Sequence, residues 1–456
     1  MAERLGFTEA VSIALGGMIG GGIYAVLGVV TRITGAATWA AFVLAGLVAL
    51  CAGYSYARLN ALSDQGGGSV TYIQCFTGNE TLAGMTGWTL LFGYIGSMAM
   101  YAFAFAEFAI SIPRVPTSVA GVPLRPVVSV VAVGAFVALN LLGARTTGTT
   151  ENALVAAKVS VLVLFGLGGI AYARSVAPGA FDVGAEQAFT TGPIIAAGVS
   201  FVAFQGWQLL FYDQERIDTP VDTVRRAVYL SVPAAVAIYV IVALATVNLA
   251  PEALTNRPHT ALKVAAEQML SPVGLGWGGG FVIALSALFS TGSAINATLF
   301  SSGYFAKGLL SKGYLPDRVS DPDADGVPPR LILGLGVITA LFSAWGSLDA
   351  VTSFASLAFI VVFGGMSYLA LRQRSQSEVH PLPPAIGLLG TAGFLPVMLY
   401  HLYAAERETF YAVCALAVVV VTVELLYFER DVLREEITEF EELVGVDDDA
   451  DVAESE

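Results

Sequence analysis

A run of glycines lies in the middle of the first apolar segment of the chain. Five of the seven residues from 16 to 22 are glycine, and Ile23 and Tyr24 follow. Each glycine costs about 1 kcal/mol relative to alanine inside a helix. The run has two interpretations. Small residues let membrane helices approach closely, whereas an unwound helix that lines a cavity offers free NH and C=O groups to a ligand. The second interpretation predicts NH groups that attract a carboxylate.

A second segment also has the composition of an interrupted helix. It begins near Pro193, and at its middle Gly206 stands between aromatic residues and the two amides Gln205 and Gln208. This is the sixth apolar segment, five after the glycine run. Transporters built from inverted repeats place interrupted helices at corresponding positions in the two halves. The pair of segments therefore predicts a repeat of five plus five helices.

The elements that position these residues are apolar segments of membrane-spanning length. The chain has 456 residues, 13% of them charged, with a mean hydropathy of +0.72, whereas soluble domains carry about 25% charged residues. A span needs about 20 apolar residues. The composition excludes a soluble enzyme and a disordered protein, and favours an all-α polytopic membrane protein. Twelve spans are predicted, at 8–32, 38–60, 84–112, 124–143, 152–174, 191–212, 227–250, 273–306, 330–347, 350–371, 382–402 and 408–428.

The charge distribution predicts an orientation and a two-part organisation. With the N-terminus inside, 14 Lys and Arg residues fall on the cytoplasmic side and 7 outside, which favours two cytoplasmic termini. Residues 429–456 carry 13 acidic and 2 basic residues of a chain whose net charge is −14. We therefore expect a membrane domain at 1–428 and an acidic cytoplasmic tail at 429–456. The acidity argues against nucleic-acid binding. With only four lysines, it also suits a halophile's salty cytoplasm.

Four motifs, in register, resemble one family. Ile19-Gly20-Gly21-Gly22-Ile23-Tyr24 is similar to the G-x-G-I-[FY] element of amino acid–polyamine–organocation (APC) permeases. The run from Ala203 to Gln208, with Asp213-Gln214-Glu215 and Thr219-Pro220, resembles that family's helix 6. Residues 66–72 resemble the loop before helix 3, and residues 288–316 resemble helix 8 and its exit. The resemblance covers residues 5 to about 375.

The resemblance implies a LeuT-type fold, in which spans 1–5 and 6–10 form inverted repeats and spans 11 and 12 are peripheral. It also implies amino acid transport across the cell membrane by alternating access. The implied substrate site comprises Gly20, Ile23, the NH groups of Gly21 and Gly22 for the carboxylate, and carbonyls near Met18, Ile19, Ala203 and Phe204 for the ammonium. Gly206 marks the second break, and Phe204 and Trp207 are candidates for a lid or pocket wall. Gln208 is neutral where relatives often have Glu.

Lys158 is a charged residue inside span 5. One interpretation is that its stem reaches back to the cytoplasmic surface. The other is that its ammonium replaces a sodium ion between spans 1 and 5, as in sodium-independent relatives that this segment resembles. Burial can lower the pKa of such a group enough for proton coupling. The second interpretation predicts transport that needs no sodium.

The sequence thus predicts a secondary active, sodium-independent permease for a neutral amino acid, driven by protons or by exchange. Polar groups such as Ser290 and Ser356 are expected to pack helices. No HExxH, G-x-S-x-G or Walker A pattern occurs, so an enzyme, a cofactor and a metal site are not expected. Two alternatives stay open: a polyamine or nucleobase transporter on the same scaffold, and a nutrient sensor that signals through the tail. The sequence does not indicate an oligomeric state.

Overall fold

The computed structural model describes residues 5–63, 66–113, 115–142, 148–176, 178–212, 214, 217–316 and 326–428. The predicted acidic tail at 429–456 lies outside the described residues, as do Asp213 and Glu215. The helices are α1 (Phe7–Thr34), α2 (Thr38–Leu62), α3 (Gly68–Thr77), α4 (Glu80–Ile110), α5 (Leu124–Leu141), α6 (Gly148–Val176), α7 (Gly192–Val199), α8 (Pro220–Leu249), α9 (Pro251–Asn256), α10 (Ala261–Leu270), α11 (Gly276–Ser311), α12 (Pro329–Trp345), α13 (Leu348–Arg372), α14 (Leu382–Ala405) and α15 (Arg407–Phe428). A short hairpin pairs β1 (Ser118–Val119) with β2 (Val122–Pro123).

The all-α membrane architecture predicted from composition is confirmed. Within the described residues, nine helical stretches are long and apolar enough to cross a membrane, and the first, Phe7–Leu62, contains both α1 and α2. Two predicted spans are absent from those nine: span 6 is broken into short pieces, and α12 has only 17 residues. The twelve predicted spans correspond to α1, α2, α4, α5, α6, the broken span 6, α8, α11, α12, α13, α14 and α15.

Helix α1 lies at the centre of the bundle. Every residue from Met18 to Thr31 is buried, and a helix that is buried all round belongs to the core of its bundle. It packs against α6, α8, α11 and the pieces of span 6. Below, the N side is the side of the membrane on which α1 begins, and the far side is the side on which it ends. Span 6, as the sixth crossing, runs from the far side back to the N side.

The predicted interruption of α1 is wrong for this conformation. The helix is continuous from Phe7 to Thr34 and passes through the whole glycine run. The glycines instead allow close packing, since each one faces a different neighbour. Those neighbours are Val155 and Lys158 at Gly16, Gly206 at Gly17, Ala294 at Gly20, Tyr101 at Gly21 and Tyr239 at Gly22.

Candidate functional site

Span 6 is interrupted at the position that the sequence predicted. Helix α7 ends at Val199, and two 3₁₀ turns, Phe201–Phe204 and Trp207–Phe211, follow it. Between them Gln205 is extended and Gly206 has φ +127°, a conformation that only glycine adopts readily. The span therefore presents non-helical backbone inside the bundle, where each freed polar group needs a partner.

Ser356 of α13 supplies two of those partners. Its hydroxyl donates to the Val199 carbonyl (2.6 Å) and accepts from the Val202 amide (3.0 Å). The serine thus provides hydrogen-bond partners for the backbone carbonyl and amide that the break between α7 and the first 3₁₀ turn leaves unpaired. Ser356 therefore joins α13 to span 6, in agreement with the expectation that it packs helices.

Helix α1 and span 6 cross in direct backbone contact at Gly17 and Gly206. A Cβ added at Gly17 would lie 2.9 Å from Gly206 Cα, and one added at Gly206 would lie 2.8 Å from Gly17 Cα. Neither contact can be relieved by rotating a side chain, because both partners are backbone atoms. The crossing therefore requires glycine on both spans.

Side-chain donors converge on the backbone carbonyls of α1 next to this crossing. The Tyr239 hydroxyl of α8 lies 2.6 Å from the Met18 oxygen and 3.0 Å from the Ala203 oxygen. Ser290 of α11 donates to the Ile19 oxygen at 3.2 Å. Met18, Ile19 and Ala203 are three of the residues whose carbonyls the family resemblance implies for a substrate ammonium. In this conformation, protein hydroxyl groups occupy them.

Lys158 reaches the same stretch of α1 from α6. It is 5% exposed, and its Nζ donates to the Gly16 oxygen at 3.2 Å. The side chain therefore points between α1 and α6, and its stem does not reach back to the surface. This is the place that the ammonium-for-sodium interpretation requires.

A chain of neutral hydrogen bonds lines the other face of the crossing. The Tyr101 ring of α4 packs on Gly21, and its hydroxyl accepts from Gln205 Nε2. Gln205 Oε1 accepts from Gln208 Nε2 (3.1 Å), and Gln208 Oε1 accepts from the Gly206 amide (2.6 Å). These amides hold the backbone of the break in place without a charged group.

The remaining predicted site residues are Phe204, Trp207, Gly20 and Ile23, and all four are buried. Phe204 packs its ring on Tyr239, with centroids 5.3 Å apart. The Trp207 ring lies with Tyr56 of α2 and Phe363 of α13, at centroid distances of 5.2 and 4.9 Å. Gly20 packs against α11, and Ile23 is fully buried in α1. Of the two aromatic candidates for a pocket wall, Phe204 contacts Tyr239, the donor to the Met18 and Ala203 carbonyls.

Sequence reasoning missed Tyr101 and Tyr239. Both are fully buried in mid-helix positions of α4 and α8. A buried tyrosine hydroxyl usually has a polar partner, so a tyrosine in the middle of a span indicates a polar group at the same depth, here the Gln205 side chain for Tyr101 and two backbone carbonyls for Tyr239. Ser290, which is expected to pack helices, also donates to the Ile19 carbonyl of α1.

A cavity of about 360 Å³ approaches span 6 from the N side. It lies between the start of α3, the N-side half of α11 and the second 3₁₀ turn of span 6, and its lining includes Thr71, Tyr212, Tyr304 and Lys312. Tyr212, one of its lining residues, forms a hydrogen bond of 2.8 Å with Ser69. The N side thus has a preformed approach toward the crossing.

Comparison with known proteins places the chain in a family. Residues 5–423 match the family model described as amino acid permease. An uncharacterised protein of Methanocaldococcus jannaschii is 28% identical over 93% of this chain and 95% of its own length. The inner membrane transport protein YbaT of Escherichia coli is 27% identical over 88% and 90%, and the human b(0,+)-type amino acid transporter 1 is 25% identical over 86% and 81%.

A solved structure confirms the fold. The manganese transporter of Eremococcus coleocola superposes with a TM-score of 0.60 over 94% of both chains, at 12% identity. At that identity the likeness concerns the fold alone. Among the residues described above, no cluster of three or more His, Cys, Asp or Glu side chains is placed to hold a metal ion. The predicted resemblance is confirmed: this multi-pass membrane protein with a LeuT-type fold belongs to the amino acid permease family.

Proposed function

We propose that the protein is a sodium-independent secondary active transporter of a neutral amino acid, driven by a proton gradient or by exchange. The observation that carries the proposal is the convergence of the Met18 and Ala203 carbonyls on the Tyr239 hydroxyl. Carbonyl oxygens from two antiparallel spans, about 3 Å from one donor, form a site that an ammonium group can occupy in place of the phenol. The N side is then the cytoplasm, as the distribution of Lys and Arg predicts.

The carboxylate of the substrate requires a change in α1. The NH groups of Gly21 and Gly22 lie within a continuous helix and bond to carbonyls four residues earlier. Three of the carbonyls in this stretch already accept a second donor, from Lys158, Tyr239 and Ser290. The glycines also lower the cost of leaving the helix. We propose that substrate binding unwinds α1 at Gly20–Gly22, so that the released NH groups hold the carboxylate.

Lys158 is the proposed coupling group. Its ammonium bonds to Gly16 on the N-side half of α1, so that loss of its proton would weaken a contact between α1 and α6. The position supports proton coupling because ionisable side chains buried inside membrane bundles are typical of proton relays. A charged side chain already stands between the two helices, and the proposal therefore assigns sodium no role.

Thermal stabilisation of the purified protein tests this function. A neutral amino acid should raise the melting temperature equally with and without sodium, and its amide should fail because it lacks the carboxylate. A shift for a polyamine or nucleobase and for no amino acid would establish the alternative substrate class. A sodium requirement would contradict the role of Lys158.

A further inference from the structure

The loop between α8 and α11 closes the far side of α1. Its 3₁₀ turn Pro258–Thr260, here called the far-side plug, rests on Gly28. A Cβ at Gly28 would overlap the backbone of Pro258, so the plug sits directly on the helix. Gly28 is six residues beyond Gly22, which is about 9 Å along α1 toward the far side. The plug therefore lies over the route from the far side to the crossing.

His259 of the plug also faces the bundle, next to Pro258. Its ring is half-buried and packs edge-on against Phe103 of α4, with centroids 5.6 Å apart. Its Nδ1 is buried and has no hydrogen-bond partner among the described residues. A buried nitrogen without a partner costs free energy, and a seated plug leaves this nitrogen unsolvated. The contact depends on ring packing and suits an uncharged imidazole.

Charged groups surround His259 on several elements. Arg32 of α1 forms an ion pair with Asp349 of α13. Arg125 of α5 lies 4.0 Å from the centroid of the Phe103 ring, on which His259 also packs. Arg32, Arg125 and Asp349 all act electrostatically on the imidazole.

Other charged groups nearby are engaged elsewhere or exposed. Glu107 of α4 interacts with Arg125. Lys263 of α10 donates to the Ser111 carbonyl at 2.5 Å and pairs with Glu267 at 3.4 Å. Glu252 and Arg257, in the plug's own loop, are exposed. The field at His259 is therefore set mainly by two cations and one carboxylate.

The direction of the pH effect follows from this environment. Burial lowers the pKa of His259, the cations Arg32 and Arg125 lower it further, and Asp349 opposes them. A released, solvated histidine binds a proton near its ordinary pKa of about 6.5. The seated plug is therefore fully stable above that pH and loses stability as the pH falls below it.

We propose that His259 is a proton-operated latch: the far-side plug is seated while the imidazole is neutral, and protonation from the far side releases the plug. This inference rests on the proposed function for its purpose, since release would open the route to the crossing on the acidic side of a proton gradient. The latch itself is a property of the loop and can be measured without transport.

Accessibility of a buried cysteine on α1, one turn from the plug's contact at Gly28, tests the latch. Thr31 is three residues beyond Gly28, on the same face of α1, and is 6% exposed. Thr31→Cys would report release of the plug in a chain whose three native cysteines are replaced by Ala. Val119→Cys, in the exposed far-side hairpin, is the matched control. Its labelling rate corrects for the effect of pH on thiol reactivity.

The expected result is a ratio of Thr31→Cys to Val119→Cys labelling that rises as the pH falls from about 8 to about 5. One proton allows at most about a tenfold rise per pH unit. With His259→Gln the ratio should become independent of pH. An unchanged pH dependence in that variant, or a flat ratio in the unmodified plug, would overturn the proposal.

Two charge variants separate a latch from a merely structural histidine. Arg125→Gln removes a cation that disfavours the protonated imidazole in the seated plug, so the seated plug tolerates protonation better and the midpoint of release should move to lower pH. Asp349→Asn removes the carboxylate that favours the protonated imidazole in the seated plug, so protonation destabilises the seated plug more and the midpoint should move to higher pH. Midpoints that do not move, or that move the opposite way, would contradict proton control by His259. Because labelling needs no substrate, the latch and the transport function can fail independently.

Discussion

Removing the Tyr239 hydroxyl should make the substrate bind more tightly while the protein becomes less stable. In the conformation described here the hydroxyl satisfies the Met18 and Ala203 carbonyls at 2.6 and 3.0 Å. A substrate ammonium must displace it. In Tyr239→Phe nothing has to be displaced, and the carbonyls of the free protein lack their buried donor. The variant therefore raises the free energy of the unbound state relative to the bound state.

The size of the effect follows from the single hydroxyl proton that the two carbonyls share. A typical intramolecular hydrogen bond contributes about 0.5–1.5 kcal/mol net, so one hydroxyl shared between two acceptors contributes about 1–2 kcal/mol. Since about 1.4 kcal/mol corresponds to a tenfold change in Kd, the affinity of Tyr239→Phe should rise roughly 5- to 30-fold. Its free energy of unfolding should fall by a similar amount.

The assay is binding of the stabilising amino acid to purified protein, with thermal unfolding measured in parallel. Tyr72→Phe is the control, because Tyr72 is also fully buried and its hydroxyl donates to Asn60 at 2.8 Å, in a different part of the bundle. The control should lose stability with no change in Kd. Weaker binding in Tyr239→Phe would mean that the phenol contacts the substrate, and would refute displacement.

Three further predictions concern the crossing, the coupling group and the tail. Gly206→Ala should lower the free energy of unfolding by about 2 kcal/mol or more, because alanine is strained at this φ and its Cβ overlaps the backbone of Gly17. The control Gly365→Ala, with open space at its Cβ, should be neutral or stabilising. Equal melting temperatures for the two variants would contradict the close crossing. Lys158→Gln should retain amino acid binding and lose proton-driven uptake into vesicles; undiminished uptake would remove Lys158 from the coupling mechanism. Deletion of residues 429–456 should leave amino acid uptake intact. If the full chain shows no uptake and the deletion abolishes signalling, the nutrient-sensor alternative is favoured.

The interruption of span 6 could be predicted because its signal is local. Gly206 lies between amides and aromatic residues in the sixth apolar segment. Inverted-repeat transporters have an interrupted helix at the corresponding position of each half, so an interruption is expected there. The structure confirms it through the φ of +127°. The number and order of the spans could be read from hydropathy for the same reason.

The state of α1 could not be predicted, because both interpretations of a glycine run share one sequence. What decides between them is the identity of the neighbours that each glycine meets, such as Tyr101 and Tyr239, which are about 80 to 220 residues away in the chain. In this conformation α1 stays helical, since those side chains fill the space beside the glycines. The proposed unwinding remains a prediction about the substrate-bound state.

The most direct test of the central proposal is accumulation of a labelled neutral amino acid in sodium-free proteoliposomes under an inward proton gradient. The amino acid to use is the one that gives the largest thermal stabilisation. We expect accumulation above the external concentration, collapse of that accumulation when the gradient is dissipated, and no stimulation by sodium. Accumulation that appears only when sodium is added would contradict the role assigned to Lys158 and with it the proposed mechanism.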